Sequence, residues 1–302
     1  MTDNCVAKRL EVNGIVQGVG FRPFVFQLAK QYGLRGEVAN TSSGVSIHIE
    51  GDPEKVVSFE SDLAAKSPPL AYIVAISVQQ DTLKNHSDFT IVKSKGNSEM
   101  STLISPDVSV CRDCLAELLD PDDRRYHYPF INCTNCGPRY TIIEDIPYDR
   151  PKTSMRNFQM CPACQAEYDN PHDRRFHAQP NACADCGPHV SLFDNRRKEV
   201  ATENTIGKAV ELLKSGYILA IKGLGGYHLA VDASNTDAVM RLRSRKMREE
   251  KPFAIMSYDI DRIRRYARVD ETDERLLTSI QRPIVLLRKK KSNPISGEVA
   301  PQ

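Results

Sequence analysis

Eight of the nine cysteines fall into four Cys-x-x-Cys pairs, a spacing that presents two sulfurs on one side of a tight turn. Cys111/Cys114 and Cys133/Cys136 are separated by eighteen residues, and Cys161/Cys164 and Cys183/Cys186 repeat that spacing at an offset of 50. Pro121 returns as Pro171, Arg124-Arg125 as Arg174-Arg175, His127 as His177, and Gly137-Pro138 as Gly187-Pro188. So much shared detail marks two copies of one structural unit. Four thiolates suit a tetrahedral Zn2+ and leave no coordination position for water, so these are structural sites, not catalytic ones. Disulfides belong to oxidising compartments, a redox Cys-x-x-Cys occurs singly, and iron–sulfur ligands are spaced more closely. Spacing leaves open whether each repeat closes its own zinc or the pairs cross over; one zinc per repeat is the favoured arrangement. Cys5 stands apart as a free thiol. His127 and His177, in a stretch rich in Tyr and Phe, read as structural strand residues.

A second chemical signal is Gly14-Ile15-Val16-Gln17-Gly18-Val19-Gly20-Phe21-Arg22. Closely spaced glycines let successive backbone N–H groups converge on an anion, and a following helix adds the positive end of its dipole. Arg22 is placed to clasp phosphate oxygens bidentately. The stretch is neither a P-loop, lacking Gly-Lys-Ser/Thr, nor a dinucleotide fingerprint, since Pro23 stands at the third glycine. Taken alone, a glycine-rich strand–helix turn is more often only a turn. Further on, residues 223–226 form a glycine-rich turn after an apolar run at 217–221 that reads as a buried strand. Six basic residues lie between Arg241 and Lys251, beside Glu249 and Glu250. Such a run is usually a solvated helix face, and its functional reading is a phosphate- or RNA-binding surface.

The elements that must carry these groups alternate in period. Leu10, Val12 and Gly14 alternate as a strand; Phe21, Phe24, Val25 and Leu28 form a helical stripe that stops at Gly33. Val38 opens a second strand and Val45, Ile47 and Ile49 a third, with Asn40 to Gly44 as the hairpin loop. Asp52-Pro53 starts a second helix with Val56, Phe59 and Leu63 inward. Tyr72, Val74, Ile76 and Val78 alternate as a fourth strand, and a short fifth begins at Phe89. The order βαββαβ predicts an α+β fold: a ferredoxin-like unit with one antiparallel sheet and two helices on one face. The expected organisation is residues 1–92 for this domain, a polar linker at 93–106, a tandem four-cysteine zinc domain at 107–190, and an α/β segment at 200–302.

Composition limits what such a chain does. Forty-one basic against 39 acidic residues in 302 give +2, which argues against nucleic acid or an anionic membrane as the main partner. Apolar residues at 40% and charged at 26% describe a globular protein. No apolar run reaches a membrane-spanning length and the charged start MTDNCVAKRLEV has no secretory core, so the expected compartment is the cytoplasm.

The run Val16-Gln17-Gly18-Val19-Gly20-Phe21-Arg22, followed by Gly36-Glu37-Val38-Ala39-Asn40, resembles the acylphosphatase signature. That resemblance implies that the loop from Gln17 through Gly18, Val19, Gly20 and Phe21 to Arg22 holds the phosphoryl group, and that Asn40 orients the attacking water. Adding two four-cysteine repeats with Asn132-Cys133-Thr134-Asn135-Cys136-Gly137-Pro138-Arg139, the whole chain resembles the carbamoyltransferase family of NiFe-hydrogenase maturation. The match continues through Ile221 to Leu229 and Asp232-Ala233, and Leu242-Arg243-Ser244-Arg245-Lys246 resembles the start of a YrdC-like nucleotide domain, which implies Lys246, Arg248 and Lys251 as ATP contacts. The resemblance implies two structural Zn2+, ATP with Mg2+, carbamoyl phosphate as substrate, and a partner maturation protein whose C-terminal cysteine accepts the carbamoyl group. It also implies that half of the YrdC-like site and the transfer domain are missing, so the chain reads as an N-terminal fragment with weak ATP turnover. The competing reading is a zinc-supported RNA- or tRNA-binding module.

Overall fold

The computed structural model describes residues 5–94 and 103–301, and the chain divides into two units after Pro188. Part of the expected linker, residues 95–102, lies outside the described residues. The first unit opens with strand β1 (Val6–Ile15), helix α1 (Phe21–Gln31), strands β2 (Arg35–Thr41) and β3 (Gly44–Gly51), helix α2 (Pro53–Ala65), strand β4 (Tyr72–Gln80) and strand β5 (Phe89–Ile91). The sheet order is β4-β1-β3-β2-β5. Leu10, Val12, Val45, Ile47 and Ile49 form the sheet side of the core, and Phe21, Val25 and Leu28 of α1 with Val56, Phe59 and Leu63 of α2 form the helix side. The Asp52 carboxylate caps α2 by accepting from the Glu54 and Lys55 N–H groups, with Pro53 in the first turn.

Three local expectations change. The sheet is mixed, because β5 pairs with β2 in parallel after the chain crosses from one edge of the sheet to the other. Asn40 is a strand residue opposite Val45, not a loop residue, because the hairpin turns tightly at Ser42-Ser43. In β4 the alternation breaks at a bulge: Val12 faces Ile76 but Gly14 faces Ile73, so Ile73 and Ile76 pack on the core while Tyr72 and Val74 are exposed. One extra residue in a ladder reverses which side chains point inward.

Each four-cysteine repeat starts a helix at its first pair: α3 (Arg112–Leu119) after Cys111 and α4 (Pro162–Asp169) after Cys161. His127 and His177 do not lie in strands. Both take a left-handed backbone (φ 56 and 54) and donate their N–H back to Leu118 and Tyr168 in the preceding helices. The repeats are clasped reciprocally. Arg125 donates to the Ala182 carbonyl and the Glu167 carboxylate, and Arg175 to the Asn132 carbonyl and the Glu117 carboxylate. The second repeat packs on the first domain through the Phe26–Phe176 ring pair, 5.5 Å between centroids, and a 2.9 Å hydrogen bond from Gln27 to the Pro171 carbonyl.

The second unit contains α5 (Thr205–Lys214), the antiparallel pair β6 (Leu219–Lys222) and β7 (Tyr227–Ala230), α6 (Thr236–Arg245), α7 (Ile260–Tyr266) and α8 (Glu271–Leu277). The apolar run expected to be buried is instead largely exposed in β6, since the pair has no third strand among the described residues. Ala238, Val239 and Leu242 of α6 are buried here, as are Ala267 and Val299. No helix among the described residues is long and apolar enough to cross a membrane.

Candidate active site and metal centres

The loop between β1 and α1 has the backbone its glycines anticipate. Gly18 (φ 72) and Gly20 (φ 75) are left-handed, and a Cβ on Gly18 would press at 3.0 Å on the Arg139 side chain. Gly20 is the N-terminal cap of α1, whose first turn has no acidic side chain, so the positive end of the helix faces the loop. The Gln17 amide is occupied elsewhere. It donates to the Thr41 and Gly44 carbonyls at 2.8 and 2.7 Å and accepts from the Tyr148 N–H at 2.8 Å, so this side chain braces the loop.

Arg22 and Asn40 meet in one pocket, as the motif requires, and the zinc repeats close it. The lining joins Gly18, Gly20, Arg22 and Asn40 to Thr134, Arg139, Tyr148, His177 and Gln179. Asn40 is 1% exposed; its Nδ2 donates to the Tyr148 carbonyl at 3.1 Å, and its Oδ1 is buried without a partner. A buried acceptor left unpaired marks a place where another donor belongs. The Arg22 guanidinium, also buried, donates at 2.8 Å to Asp149, whose other oxygen accepts from the Ser94 hydroxyl. Burial and the nearby Arg22 push the His177 imidazole down to about 4, so it is neutral at pH 7.

Arg139, 2% exposed, ties the first zinc turn to the phosphate loop. It donates to the Cys133, Thr134, Cys136 and Pro138 carbonyls at 2.8–3.1 Å and to the Gly18 carbonyl. Sequence reasoning missed Arg139, Tyr148, Asp149 and Gln179 and took His177 as merely structural. One available signal was asymmetry between the repeats: His189 stands at the offset-50 position of Arg139.

The cysteines form two clusters, Cys111, Cys114, Cys133 and Cys136 in one and Cys161, Cys164, Cys183 and Cys186 in the other, so each repeat gathers its own four sulfurs. Hydrogen-bond-range Sγ–Sγ distances are 3.5–3.8 Å in the first and 3.6–3.8 Å in the second. A tetrahedron with Zn–S bonds of about 2.3 Å has edges of about 3.8 Å, so both clusters fit Zn2+. Contacts with Cys133 and Cys136 and burial hold the Cys114 thiol well above its usual range, and burial pushes Cys164 up to about 12. Their neighbours Cys133 and Cys161 are shifted the other way, down, by contacts with the surrounding sulfurs and backbone N–H groups, and a cation is what lets all four sulfurs of a cluster be thiolates together. Arginines of the opposite repeat offset the excess negative charge: Arg174 lies 3.1 Å from the Cys114 sulfur and Arg124 3.2 Å from that of Cys164. Replacing Glu117 by Gln is expected to lower stability by about 2–3 kcal/mol, since buried Arg175 loses its carboxylate. Chemical denaturation of the zinc-loaded protein measures it, and an unchanged midpoint contradicts the clasp.

In the second unit Lys246, Arg248 and Lys251 come together on one loop after α6. Lys246 and Lys251 are exposed, but the Arg248 guanidinium turns back to the Lys251 and Pro252 carbonyls at 2.9 and 2.7 Å. Arg243 shapes the loop from below, donating to the Arg248, Glu249 and Glu298 backbone carbonyls at 2.7, 3.0 and 2.6 Å.

Three family models match successive parts of the chain. The acylphosphatase model matches residues 8–91, the HypF finger model matches 110–143 and 160–193, and the Sua5/YciO/YrdC model, described as telomere recombination, matches 211–302. Acylphosphatase of Thermotoga maritima is 44% identical over 86 residues, covering 28% of this chain and 94% of its own length. Fold and site thus define an acylphosphatase-type domain whose pocket is completed by tandem zinc fingers. Carbamoyltransferase HypF2 of Cupriavidus necator is 51% identical over 284 residues, 93% of this chain and 35% of the relative. Carbamoyltransferase HypF of Synechocystis is 49% identical over 293 residues, 97% of this chain and 38% of the relative. A crystal structure of full-length HypF in the phosphate- and nucleotide-bound form matches with TM-score 0.93 at 49% identity, covering 99% of this chain and 39% of that one. The chain belongs to the HypF carbamoyltransferase family. It spans 35–38% of the length of these curated relatives.

Proposed function

We propose that the pocket between the phosphate loop and the zinc repeats hydrolyses carbamoyl phosphate to carbamate and inorganic phosphate. The observation that carries this reading is the unpartnered, buried Asn40 Oδ1 in the same pocket as the Arg22 guanidinium. The phosphoryl group sits on the N–H groups of the 18–22 loop and on Arg22. Asn40 Oδ1 accepts a hydrogen from water and turns its lone pair toward phosphorus. The phosphorus–oxygen bond to the carbamoyl group breaks, carbamate leaves, and the water's proton ends on phosphate or solvent. No side-chain nucleophile is needed, because positioning and charge stabilisation lower the barrier. The repeats exclude bulk water, which strengthens these interactions. Phosphate release from carbamoyl phosphate without ATP tests the reading, and no release refutes it.

Asp149 occupies the guanidinium that the phosphoryl group needs, so the two anions compete. Asp149→Asn is expected to tighten binding of inorganic phosphate by about tenfold, since a like charge within about 4 Å costs on the order of 1–4 kcal/mol. Weaker binding in titration calorimetry would instead make Asp149 the group that aligns Arg22.

The rest of the reading rests on family membership and on the YrdC-type match. In it, residues 1–92 are the acylphosphatase domain, 93–106 the linker, 107–190 the zinc domain and 200–302 the nucleotide domain. ATP with Mg2+ binds at the loop of Lys246, Arg248 and Lys251, carbamate attacks the α-phosphorus, and carbamoyl-adenylate and pyrophosphate result. The carbamoyl group then passes to the C-terminal cysteine of a maturation partner, in the cytoplasm. Because Arg248 is committed to loop carbonyls, Lys246 and Lys251 are the contacts best placed for triphosphate.

A further inference from the structure

On the face of the sheet opposite its helices, β3 presents His48 and Glu50, both buried, while Val45, Ile47 and Ile49 face the core. The segment from β4 to β5 crosses this face and brings Asp81 and His86 against them. His48 Nε2 lies 2.9 Å from Glu50 Oε1, and its Nδ1 lies 3.0 Å from Asp81 Oδ2. One nitrogen or oxygen from each of His48, Glu50 and His86 lies within 4.8 Å of the others. His86 Nε2 is buried and has no hydrogen-bond partner.

We propose that His48, Glu50 and His86 form a third metal site, a two-nitrogen, one-oxygen site for a borderline divalent ion such as Zn2+. Without a metal one group of the cluster is left over: His48 has a carboxylate at each ring nitrogen, but the buried His86 Nε2 has no partner. With a metal each group has a use. Asp81 accepts the Nδ1 proton of His48, which fixes the tautomer and turns the Nε2 lone pair toward the ion, the arrangement that accompanies most metal-bound histidines. Glu50 supplies the anionic ligand; its carboxylate is already held by the Lys84 and His86 N–H groups. Arg9, the nearby cation, is spent on Asp81 at 2.9 Å and does not repel the ion. Bonds of about 2.0–2.1 Å in a tetrahedron place ligands about 3.3 Å apart, so ligand atoms that now lie within 4.8 Å of one another would draw together around the ion, with partly exposed His86 the member nearest solvent. The ion would pin the crossing segment to the sheet and leave a fourth position for water.

The test is metal content of the full chain after equilibrium dialysis against micromolar Zn2+, measured by plasma emission, with wild type, His86→Ala and the milder His86→Gln. Wild type is expected to hold three ions per chain and both variants two, with melting temperature rising on addition of the third ion in wild type alone. Co2+ gives an independent readout, since the sulfur sites produce intense thiolate charge-transfer bands and the third ion adds only weak d–d absorption. Two ions in wild type, or three in either variant, overturns the proposal and leaves the cluster as a hydrogen-bonded clamp.

Discussion

Asn40→Ala is expected to lower kcat for carbamoyl phosphate hydrolysis by about 10²–10³ with KM little changed, the effect of losing one preorganised hydrogen-bond partner at the transition state. Arg22→Ala should fail differently. It removes the bidentate clamp and a positive charge that ground state and transition state both use, so KM rises and kcat falls together. Both residues come from the first domain, yet each touches the zinc region: Asn40 through the Tyr148 carbonyl and Arg22 through Asp149. Their substitutions therefore loosen that contact as well, by about 1 kcal/mol for the Asn40 hydrogen bond. Melting temperature should shift by only a few degrees, while activity changes by orders of magnitude. Steady-state kinetics of the two variants separates the roles, and full kcat in Asn40→Ala would remove Asn40 from the reaction.

Stripping zinc should have the largest effect on the fold. Structural four-cysteine sites contribute on the order of 10 kcal/mol or more to folding. Here the buried cluster around the first four-cysteine site consists of Cys114, Cys133 and Cys136 with Tyr128, Ile131, Ile142, Met155 and, from the second repeat, Ala182. So few apolar side chains around so many ligands cannot hold these turns once the metal is gone. A strong chelator should therefore unfold residues 107–190, while the acylphosphatase sheet, with its own apolar core, persists. The pocket should fail with the repeats, because Arg139 and His177 belong to them and Tyr148 to the segment that joins them. Metal analysis, far-ultraviolet circular dichroism and phosphate release along a chelator titration measure this together. Protein prepared without chelator is expected to carry at least the two sulfur-bound zincs. Hydrolysis that survives zinc loss unchanged would show that the repeats do not complete the site.

What the sequence determined by itself is local or periodic. Cys-x-x-Cys pairs form turns within a few residues, and duplication at an offset of 50 repeats the same turn chemistry, so the two clusters of four sulfurs were legible from spacing. The left-handed glycines at 18 and 20 and the Asp52-Pro53 cap are likewise properties of neighbouring residues. Periodicity located both helices of the first domain and their buried stripes. What only the tertiary structure decided is what those elements face. Asn40 meets Tyr148 across 108 positions, Arg22 meets Asp149 across 127, and Arg139 meets Gly18 across 121. A side chain's partner at that separation depends on how packed surfaces align, and nothing in its immediate neighbours encodes it. The same holds in small at the β4 bulge and in β6, where an apolar alternation gives a strand but not the surface that covers it. Local chemistry thus set the ligands and the loop, and packing turned the zinc repeats into the wall of the pocket, because shape and burial are properties of the folded whole.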